Sequence, residues 1–367
     1  MKLKIYLQLF LLATLGACSN KHHEFSIKEN GTIHVPAYIL PESSFLSDES
    51  RAVIKRQREE EKKLSKQWSV VCPLPENPSK EQILANEDCS REHFYTTALY
   101  RNAINRYDVN MEIDTINGVY TEVFTPAGGV KEENRDRVLI SLHSGAFLYG
   151  SRTASRVESI PIASIGGIKV ISIDYRMGPK HQFPAASEDV AAVYKALLKT
   201  YKPENIGIYG YAAGGALTTQ ALAWFLKKEN LPLPGAVGII CMAAAEPRPK
   251  TDSMHMVSAT LGYNGIAPFT VFEPYYGTNP NFEDPLLVPL NSKEILSKFP
   301  PSLLIVSTRD FHLSSVVYTH TQLVKLGVEA ELHVWEGLGH VFLANTELPE
   351  SREAYQVIVN FFNKHLD

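Results

Sequence analysis

A short apolar run that meets a cluster of small residues, followed by a helix-forming stretch, is the sequence feature that most restricts the fold of this chain. Residues 206–209 read Ile-Gly-Ile-Tyr, residues 210–214 read Gly-Tyr-Ala-Ala-Gly, and residues 216–226 have helical composition. Small residues at 210, 213 and 214 allow the backbone to bend tightly. The pattern predicts a sharp strand-to-helix turn that holds the side chain of Ala212 in the open.

Strand-like and helical segments alternate from Asp108 to the C-terminus. Helical stretches such as 187–200 separate many of the strand-like runs, which are 109–113, 119–125, 137–143, 168–174, 206–209, 236–242, 302–307 and 331–335. Such alternation is typical of a mostly parallel sheet with helices on both faces. We therefore expect an α/β fold for residues 108–367.

Size and charge narrow the functional classes. The chain has 367 residues, of which 44% are hydrophobic, and this is enough for one large α/β domain with an added cap. The formal net charge is −4, which gives no reason to expect nucleic acid as a partner. A charged stretch at 50–67 interleaves acids and bases, and we expect it to form a solvated helix.

The N-terminus has the composition of a targeting segment. A basic start at 1–4 and an apolar run at 5–15, too short to span a bilayer comfortably, precede Leu-Gly-Ala-Cys at 15–18. This resembles a bacterial lipoprotein signal, with residues 1–17 as signal peptide, Cys18 as the lipidated residue and 18–44 as tether. Ser19 favours anchoring in the outer membrane, facing the periplasm or the cell surface. A plain secretory signal is the alternative.

Three cysteines remain after Cys18. Cys72 and Cys89 can form a disulfide in an oxidising compartment or remain free thiols, since sequence does not show how closely they approach. Cys241 lies in the apolar run 236–242, which predicts a buried strand position.

Three further motifs follow strand-like runs. His-Ser-Gly-Ala-Phe occupies 143–147, an apolar strand at 300–309 ends in Asp310, and Gly-Leu-Gly-His-Val-Phe occupies 337–342. A carboxylate at a strand end can accept the Nδ1 proton of a histidine and so select the tautomer whose Nε2 acts as a base. Asp310 and His340 are the candidate pair, and Asp284 is the rival acid.

Together with the Asp-Tyr-Arg segment at 174–176 and the Phe-Pro-Ala segment at 183–185, these motifs resemble the hormone-sensitive-lipase-like branch of the α/β-hydrolases. The resemblance implies that position 212 carries the nucleophile, with Asp310 and His340 as its partners. It also implies an oxyanion hole formed by the N–H groups of Gly145, Ala146 and Ala213. Ser144, Phe147 and Tyr211 are candidates for the substrate pocket.

The same resemblance implies a serine carboxylesterase that acts through an acyl-enzyme. It implies a mainly helical cap, built from 45–107 and an insertion at about 246–278, over the pocket. The length of the cap favours a medium-sized or bulky apolar ester or lactone. We expect no metal and no cofactor, a small-molecule ester as partner, and a monomer or homodimer.

Alanine at position 212 sets the chain apart from this pattern, because alanine has no hydroxyl to attack an ester. An engineered serine-to-alanine change in a working esterase is one hypothesis, and the completeness of the other motifs favours it. A natural pseudoenzyme that binds an ester-like or other apolar ligand without cleaving it is the second. An envelope adhesin would explain a lipid anchor but not the motifs. Tyr211, Ser144 and Ser151 do not stand at the apex of the turn and are poor substitutes for serine.

Overall fold

A computed structural model describes residues 25–35, 39–75, 78–247, 250–260 and 272–367. The chain divides into two compact units, Met1–Ser43 and Ser44–Asp367. In the first unit, β1 (Ser26–Ile27) pairs antiparallel with β2 (Ile33–His34). Cys18 and the predicted signal peptide lie outside the described residues. Within the part of the chain that the structure describes, no helix has both the length and the apolar composition needed to cross a membrane.

An eight-stranded sheet organises the second unit. Its spatial order is β10-β9-β8-β7-β5-β6-β4-β3. The strands are β3 (Val109–Ile116), β4 (Val119–Pro126), β5 (Val138–Leu142), β6 (Lys169–Ile173), β7 (Ile206–Tyr211), β8 (Ala236–Ile240), β9 (Ser302–Arg309) and β10 (Ala330–Gly339). β3 pairs antiparallel with β4, and β4 pairs antiparallel with β6, whereas all other neighbours are parallel. The predicted mostly parallel sheet is confirmed.

The central strands are short apolar runs because both faces of the sheet are covered. Every residue of β5, β7 and β8 is buried. Alternate side chains of a strand point to opposite faces. In β7, Ile206 and Ile208 belong to one core cluster, while Tyr209 and Tyr211 belong to the other.

Helices form the outer layers. The first cluster includes residues of α5 (Ala185–Leu197), α6 (Ala213–Trp224) and α10 (Leu313–Lys325), and the second includes residues of α4 (Ala154–Gly166) and α11 (Pro349–His365). The described part of the chain also contains the shorter helices α7 (Asp252–Thr260), α8 (Glu273–Tyr276) and α9 (Lys293–Leu296). The Asp-Tyr-Arg segment after β6 has a structural role, since Arg176 forms ion pairs with Glu188 and Asp189 of α5 at 2.9 Å each.

Among the residues described before the sheet, three helices are formed: α1 (Asp48–Val71), α2 (Lys80–Phe94) and α3 (Ala98–Arg106). The charged stretch predicted as a helix at 50–67 lies within α1. A disulfide joins Cys72, directly after α1, to Cys89 of α2, with a Cα–Cα distance of 5.6 Å. This distance lies within the range that disulfides adopt.

Candidate active site

The turn between β7 and α6 has the geometry that the sequence predicts. Ala212 stands alone between Tyr211, the last residue of β7, and Ala213, the first residue of α6. Its backbone has φ +47° and ψ −112°, a conformation that is costly for a residue with a Cβ. The N–H of Ala212 donates to the carbonyl oxygen of Ile240 at 2.8 Å, which fixes the turn against β8. Ala212 is 9% exposed, so the apex of the turn is not completely buried.

Gly214 allows this turn to close. A Cβ built at Gly214 would lie 1.8 Å from the carbonyl oxygen of Leu142, the last residue of β5. The Leu142 oxygen is a backbone atom of the sheet and cannot rotate away, so a larger residue at 214 would push α6 away from the sheet. The second glycine of the Gly-Tyr-Ala-Ala-Gly motif therefore serves close packing of the helix on β5 rather than chemistry.

Asp310 and His340 lie close together at the carboxyl ends of β9 and β10. The Oδ2 atom of Asp310 lies 2.9 Å from Nδ1 of His340, and Oδ1 accepts the N–H of His312 at 2.8 Å. Asp310 is fully buried, and burial alone would raise its pKa. Attraction to His340 and the hydrogen bonds it accepts outweigh burial and hold the pKa of the carboxyl below its ordinary value.

This pairing assigns the roles of the two ring nitrogens of His340. A carboxylate can only accept, so Nδ1 carries the proton and Nε2 is left as the basic nitrogen. The side chain of His340 is 23% exposed, in contrast to its buried partner. The ring also packs at 4.4 Å between centroids against Phe311. The arrangement is that of a general base held in one tautomer.

The loop after β5 has the conformation of an anion-binding backbone. Gly145, Ala146 and Phe147 have φ values of +122°, +55° and +59°. The carbonyl oxygen of Gly145 accepts the N–H groups of Leu148 and Tyr149 at 3.0 and 2.9 Å. A Cβ at Gly145 would lie 1.9 Å from the carbonyl oxygen of Tyr149, so only glycine fits there.

When consecutive residues have positive φ values, their N–H donors can point into one concavity, which attracts anions. β5 and β7 are neighbours in the sheet, so this loop and the start of α6 lie at adjacent strand ends. The first N–H groups of a helix have no acceptor within the helix, which leaves that of Ala213 available for an oxyanion. The loop and the helix start therefore lie at neighbouring strand ends, and the assignment of the Gly145, Ala146 and Ala213 N–H groups to an oxyanion hole stays a prediction.

His143, the first residue of the loop motif, has a structural environment. It is fully buried, and its ring stacks on Tyr175 with centroids 4.2 Å apart. The hydroxyl of Tyr175 donates to the carbonyl oxygen of His143 at 2.7 Å. Burial lowers the pKa of the imidazole, although its bond to the carbonyl oxygen of Ser144 opposes this. His143 therefore stays neutral and fixes the loop.

Two of the three predicted pocket residues are not placed to line a pocket. Tyr211 is 0% exposed and packs edge-to-face on Tyr209, on the face of the sheet that α4 and α11 cover. Phe147 is buried and stacks on Tyr275 of α8 with centroids 4.4 Å apart. Both predictions are wrong because the rings fill core positions. Ser144 is half-buried, and its N–H donates to Glu158 at 3.1 Å.

Asp284, the rival acid, stabilises the turn in which it lies. Its Oδ1 accepts the N–H of Leu286 at 2.9 Å, and its carbonyl oxygen accepts those of Leu287 and Val288. The structure gives it no contact with His340, whereas Asp310 has one.

Sequence reasoning missed two groups beside the Asp310–His340 pair. Cys241 lies just after β8, with φ +55°, rather than inside the strand, and its thiol lies within 4.8 Å of ligand atoms of Asp310 and His340. His312 is buried, and its ring centroid lies 5.6 Å from that of His340. Burial lowers the pKa of His312 to about 3, so it is neutral. The sequence signal for Cys241 and His312 was their position at or just after the ends of the predicted strands 236–242 and 302–307.

Cys241, Asp310 and His340 also form a donor set of the kind that metals use. Metal binding requires the thiolate, whereas burial, reinforced by the Asp310 carboxylate, raises the pKa of the Cys241 thiol well above its ordinary value. His340 Nδ1 is already bonded to Asp310. The donor set therefore fits a hydrogen-bonded catalytic pair better than a metal centre.

A buried Asp–His pair, an anion-binding loop and a strand–turn–helix apex at one edge of a mostly parallel sheet define the site of an α/β-type hydrolase. The family model for the alpha/beta hydrolase fold matches residues 139–344, and the chain belongs to this family.

Curated relatives and solved structures agree on the class of chemistry. The chain is 29% identical over 243 residues to the carboxylesterase/phospholipase LipF of Mycobacterium tuberculosis, spanning 64% of each protein. It is 29% identical over 231 residues to an acetyl-hydrolase of Streptomyces hygroscopicus, spanning 60% of this chain and 73% of that protein. The crystal structure of an esterase, E25, has a TM-score of 0.77 at 29% identity and covers 92% of this chain and all of its own.

An esterase of the bacterial hormone-sensitive lipase family is similar as well, with a TM-score of 0.66 at 26% identity over 83% of this chain and 98% of its own. These homologues are carboxylic ester hydrolases, as the sequence resemblance implies.

Proposed function

We propose that this chain is the scaffold of a serine carboxylesterase whose nucleophile position, 212, is occupied by alanine. The observation that carries the proposal is the 2.9 Å contact between His340 Nδ1 and Asp310 Oδ2 at the sheet edge where the β7–α6 turn presents residue 212. A base held in one tautomer at this place has a use only if it serves a nucleophile or a bound water. The ester hydrolases among the relatives support the reaction class.

With serine at 212, the mechanism follows from these positions. His340 Nε2 takes the hydroxyl proton as the serine oxygen attacks the ester carbonyl carbon. The N–H groups of Gly145, Ala146 and Ala213 stabilise the oxyanion, and each such donor is worth roughly 3 kcal/mol of barrier. His340 returns the proton to the leaving alcohol. It then activates the water that releases the acid from the acyl-enzyme.

With alanine at 212 the first bond cannot form, and we expect the chain as written to be inactive. The Ala212 backbone keeps its costly positive φ, and the Asp310–His340 pair stays assembled. A chain freed from catalysis has no need of either, which favours an engineered substitution over a natural pseudoenzyme. The codon for residue 212 in the source genome tests this directly. A serine codon supports the engineered origin, and an alanine codon supports a natural protein that binds without cleaving.

A covalent probe tests the site independently of the substrate. In an Ala212→Ser variant, a fluorophosphonate should phosphonylate the introduced hydroxyl at position 212 as fluoride leaves, and His340 should accept the hydroxyl proton. We expect mass spectrometry to find one adduct on the peptide containing residue 212. The same variant with His340→Ala should react far more slowly. Labelling that is unchanged by His340→Ala would contradict the assigned base.

For the substrate, we propose a medium-sized or bulky apolar ester or lactone. The support is the length of the two predicted cap segments, which contain α1, α2 and α3 before the sheet and α7 and α8 after β8. A series of nitrophenyl esters with increasing acyl length, with bulky lactones added, tests this in the Ala212→Ser variant. Turnover confined to acetyl esters would contradict it.

We further propose that the protein is a lipoprotein of the cell envelope, processed before Cys18, facing the periplasm or the cell surface, and a monomer or homodimer. The composition of residues 1–18 supports the anchor. Labelling of cells with a clickable palmitate should mark the full chain and not its Cys18→Ala variant. Equal labelling of both would contradict lipidation at Cys18.

A further inference from the structure

The oxyanion loop is joined to a helix outside the α/β core through one tyrosine. Tyr149 closes the loop from inside, because its N–H donates to the carbonyl oxygen of Gly145 at 2.9 Å. Its half-buried side chain leaves the loop, and its hydroxyl donates to Oδ1 of Asn86 on α2 at 3.3 Å. Asn86 is therefore hydrogen-bonded to the residue whose N–H holds the Gly145 carbonyl.

Asn86 is itself held in place at its other end. Its Nδ2 donates to the carbonyl oxygen of Cys72 at 2.7 Å, directly after the end of α1. The amide thus uses its acceptor for the oxyanion loop and a donor for the α1 end. No other side chain type of this length presents a neutral donor and a neutral acceptor in that arrangement.

The helix that carries Asn86 lies at the surface of the protein. None of the residues of α2 is fully buried, and its half-buried Phe94 contacts the rings of Tyr95 and Tyr100. The disulfide between Cys72 and Cys89 fixes the helix to the same segment whose carbonyl Asn86 binds. Tyr95, directly after α2, donates to the carbonyl oxygen of Arg152 at 2.7 Å, beyond the loop itself.

We propose that Asn86 is a positioning residue for the oxyanion hole, and that the Cys72–Cys89 disulfide holds it in place. Asn86 does not touch the substrate. Its bond to Tyr149 restricts the loop so that the N–H groups of Gly145 and Ala146 keep their direction. The expected effect of Asn86 on turnover rests on the proposed function, because Asn86 would support the oxyanion hole of that same site.

The first test uses the chain as it is and needs no activity. Hydrogen exchange of residues 143–150 reports loop opening, because the amides of Leu148 and Tyr149 are bonded to Gly145. In Asn86→Ala, and in a double variant with both disulfide cysteines changed to serine, we expect exchange of this segment to be about 5-fold faster. Asn360→Ala, an exposed asparagine on α11, is the matched control and should leave it unchanged.

The second test measures turnover in the Ala212→Ser background. Asn86→Ala should lower kcat about 10-fold with KM changed less than twofold, because a misdirected oxyanion donor affects the transition state more than the bound ester. Tyr149→Phe should give the same loss, and the two changes together should lose no more than either alone. Tyr95→Phe removes a similar bond that does not reach the loop and should retain kcat.

The outcomes separate the two proposals. If Ala212→Ser is inert while Asn86→Ala still speeds exchange of the loop, the esterase proposal fails and the positioning contact stands. If Ala212→Ser is active but Asn86→Ala changes neither exchange nor kcat, the positioning role is overturned. A loss shared equally by kcat, KM and thermal stability would show a general structural role instead and would also overturn it.

Discussion

Glu158 offers the strongest pH-dependent prediction, because it is a carboxyl group buried behind the oxyanion loop. It lies in α4, is 1% exposed, and its Oε2 accepts the N–H of Ser144 at 3.1 Å. Burial raises its pKa from 4.5 to about 8, although the hydrogen bonds from Ser144 oppose the rise. At neutral pH the folded protein therefore keeps this group protonated, whereas the unfolded chain ionises it.

The sign and size of the effect follow from this difference. A folded-state pKa above the unfolded value gives stability that is complete below pH 4.5 and falls as the pH rises towards 8. Between pH 4.5 and pH 7, at about 1.4 kcal/mol per pH unit, the loss is on the order of 3 kcal/mol. Glu158→Gln removes the ionisation and keeps an oxygen for the Ser144 N–H. The variant should be spared this loss.

Urea unfolding of the chain and of Glu158→Gln at pH 5, 6, 7 and 8 measures the effect. We expect the free energy of unfolding of the variant, relative to the unchanged chain, to increase steadily with pH by roughly that amount. Glu92→Gln, an exposed glutamate on α2, is the matched control. Parallel pH curves for Glu158→Gln and the unchanged chain would refute the argument that Glu158 is neutral in the fold.

Two further predictions concern residues at the strand ends. Ala212→Gly should raise the free energy of unfolding by about 1 kcal/mol, because glycine adopts the positive φ of the turn without its steric cost. Equal or lower stability in thermal unfolding would contradict the claim that the Ala212 backbone is strained. Asp310→Asn in the Ala212→Ser background should lower kcat by about 10⁴ with a folded structure, since an amide no longer fixes the proton on His340 Nδ1; a loss below tenfold in ester hydrolysis would remove Asp310 from its role.

The fold and the core of the site were predictable because their signals are local. The central strands are short apolar runs, and Asp310 and His340 stand directly after β9 and β10, where the ends of parallel strands meet. A Cβ at Gly214 or at Gly145 would collide with nearby backbone, so the glycines of the two motifs indicate where the backbone packs closely.

The supporting contacts were not predictable, because they join residues that are distant in sequence. Asn86 reaches Tyr149 across 63 positions, and nothing in the residues around either one indicates the contact. Tyr211 shows the opposite error. Its place in the turn motif suggested the pocket, but it shares the strand face of Tyr209 and is therefore directed into the core.

Ester hydrolysis by the chain with Ala212→Ser decides whether this site is that of a disabled esterase. The protein from residue 19 onward, with alanine or with serine at position 212, would be assayed on nitrophenyl esters of increasing acyl length and on bulky lactones. We predict turnover at least 10³-fold above the alanine form, and its loss on His340→Ala in the serine background. A folded Ala212→Ser protein that is inert on every ester would contradict the account and would indicate a protein that binds its ligand without cleaving it.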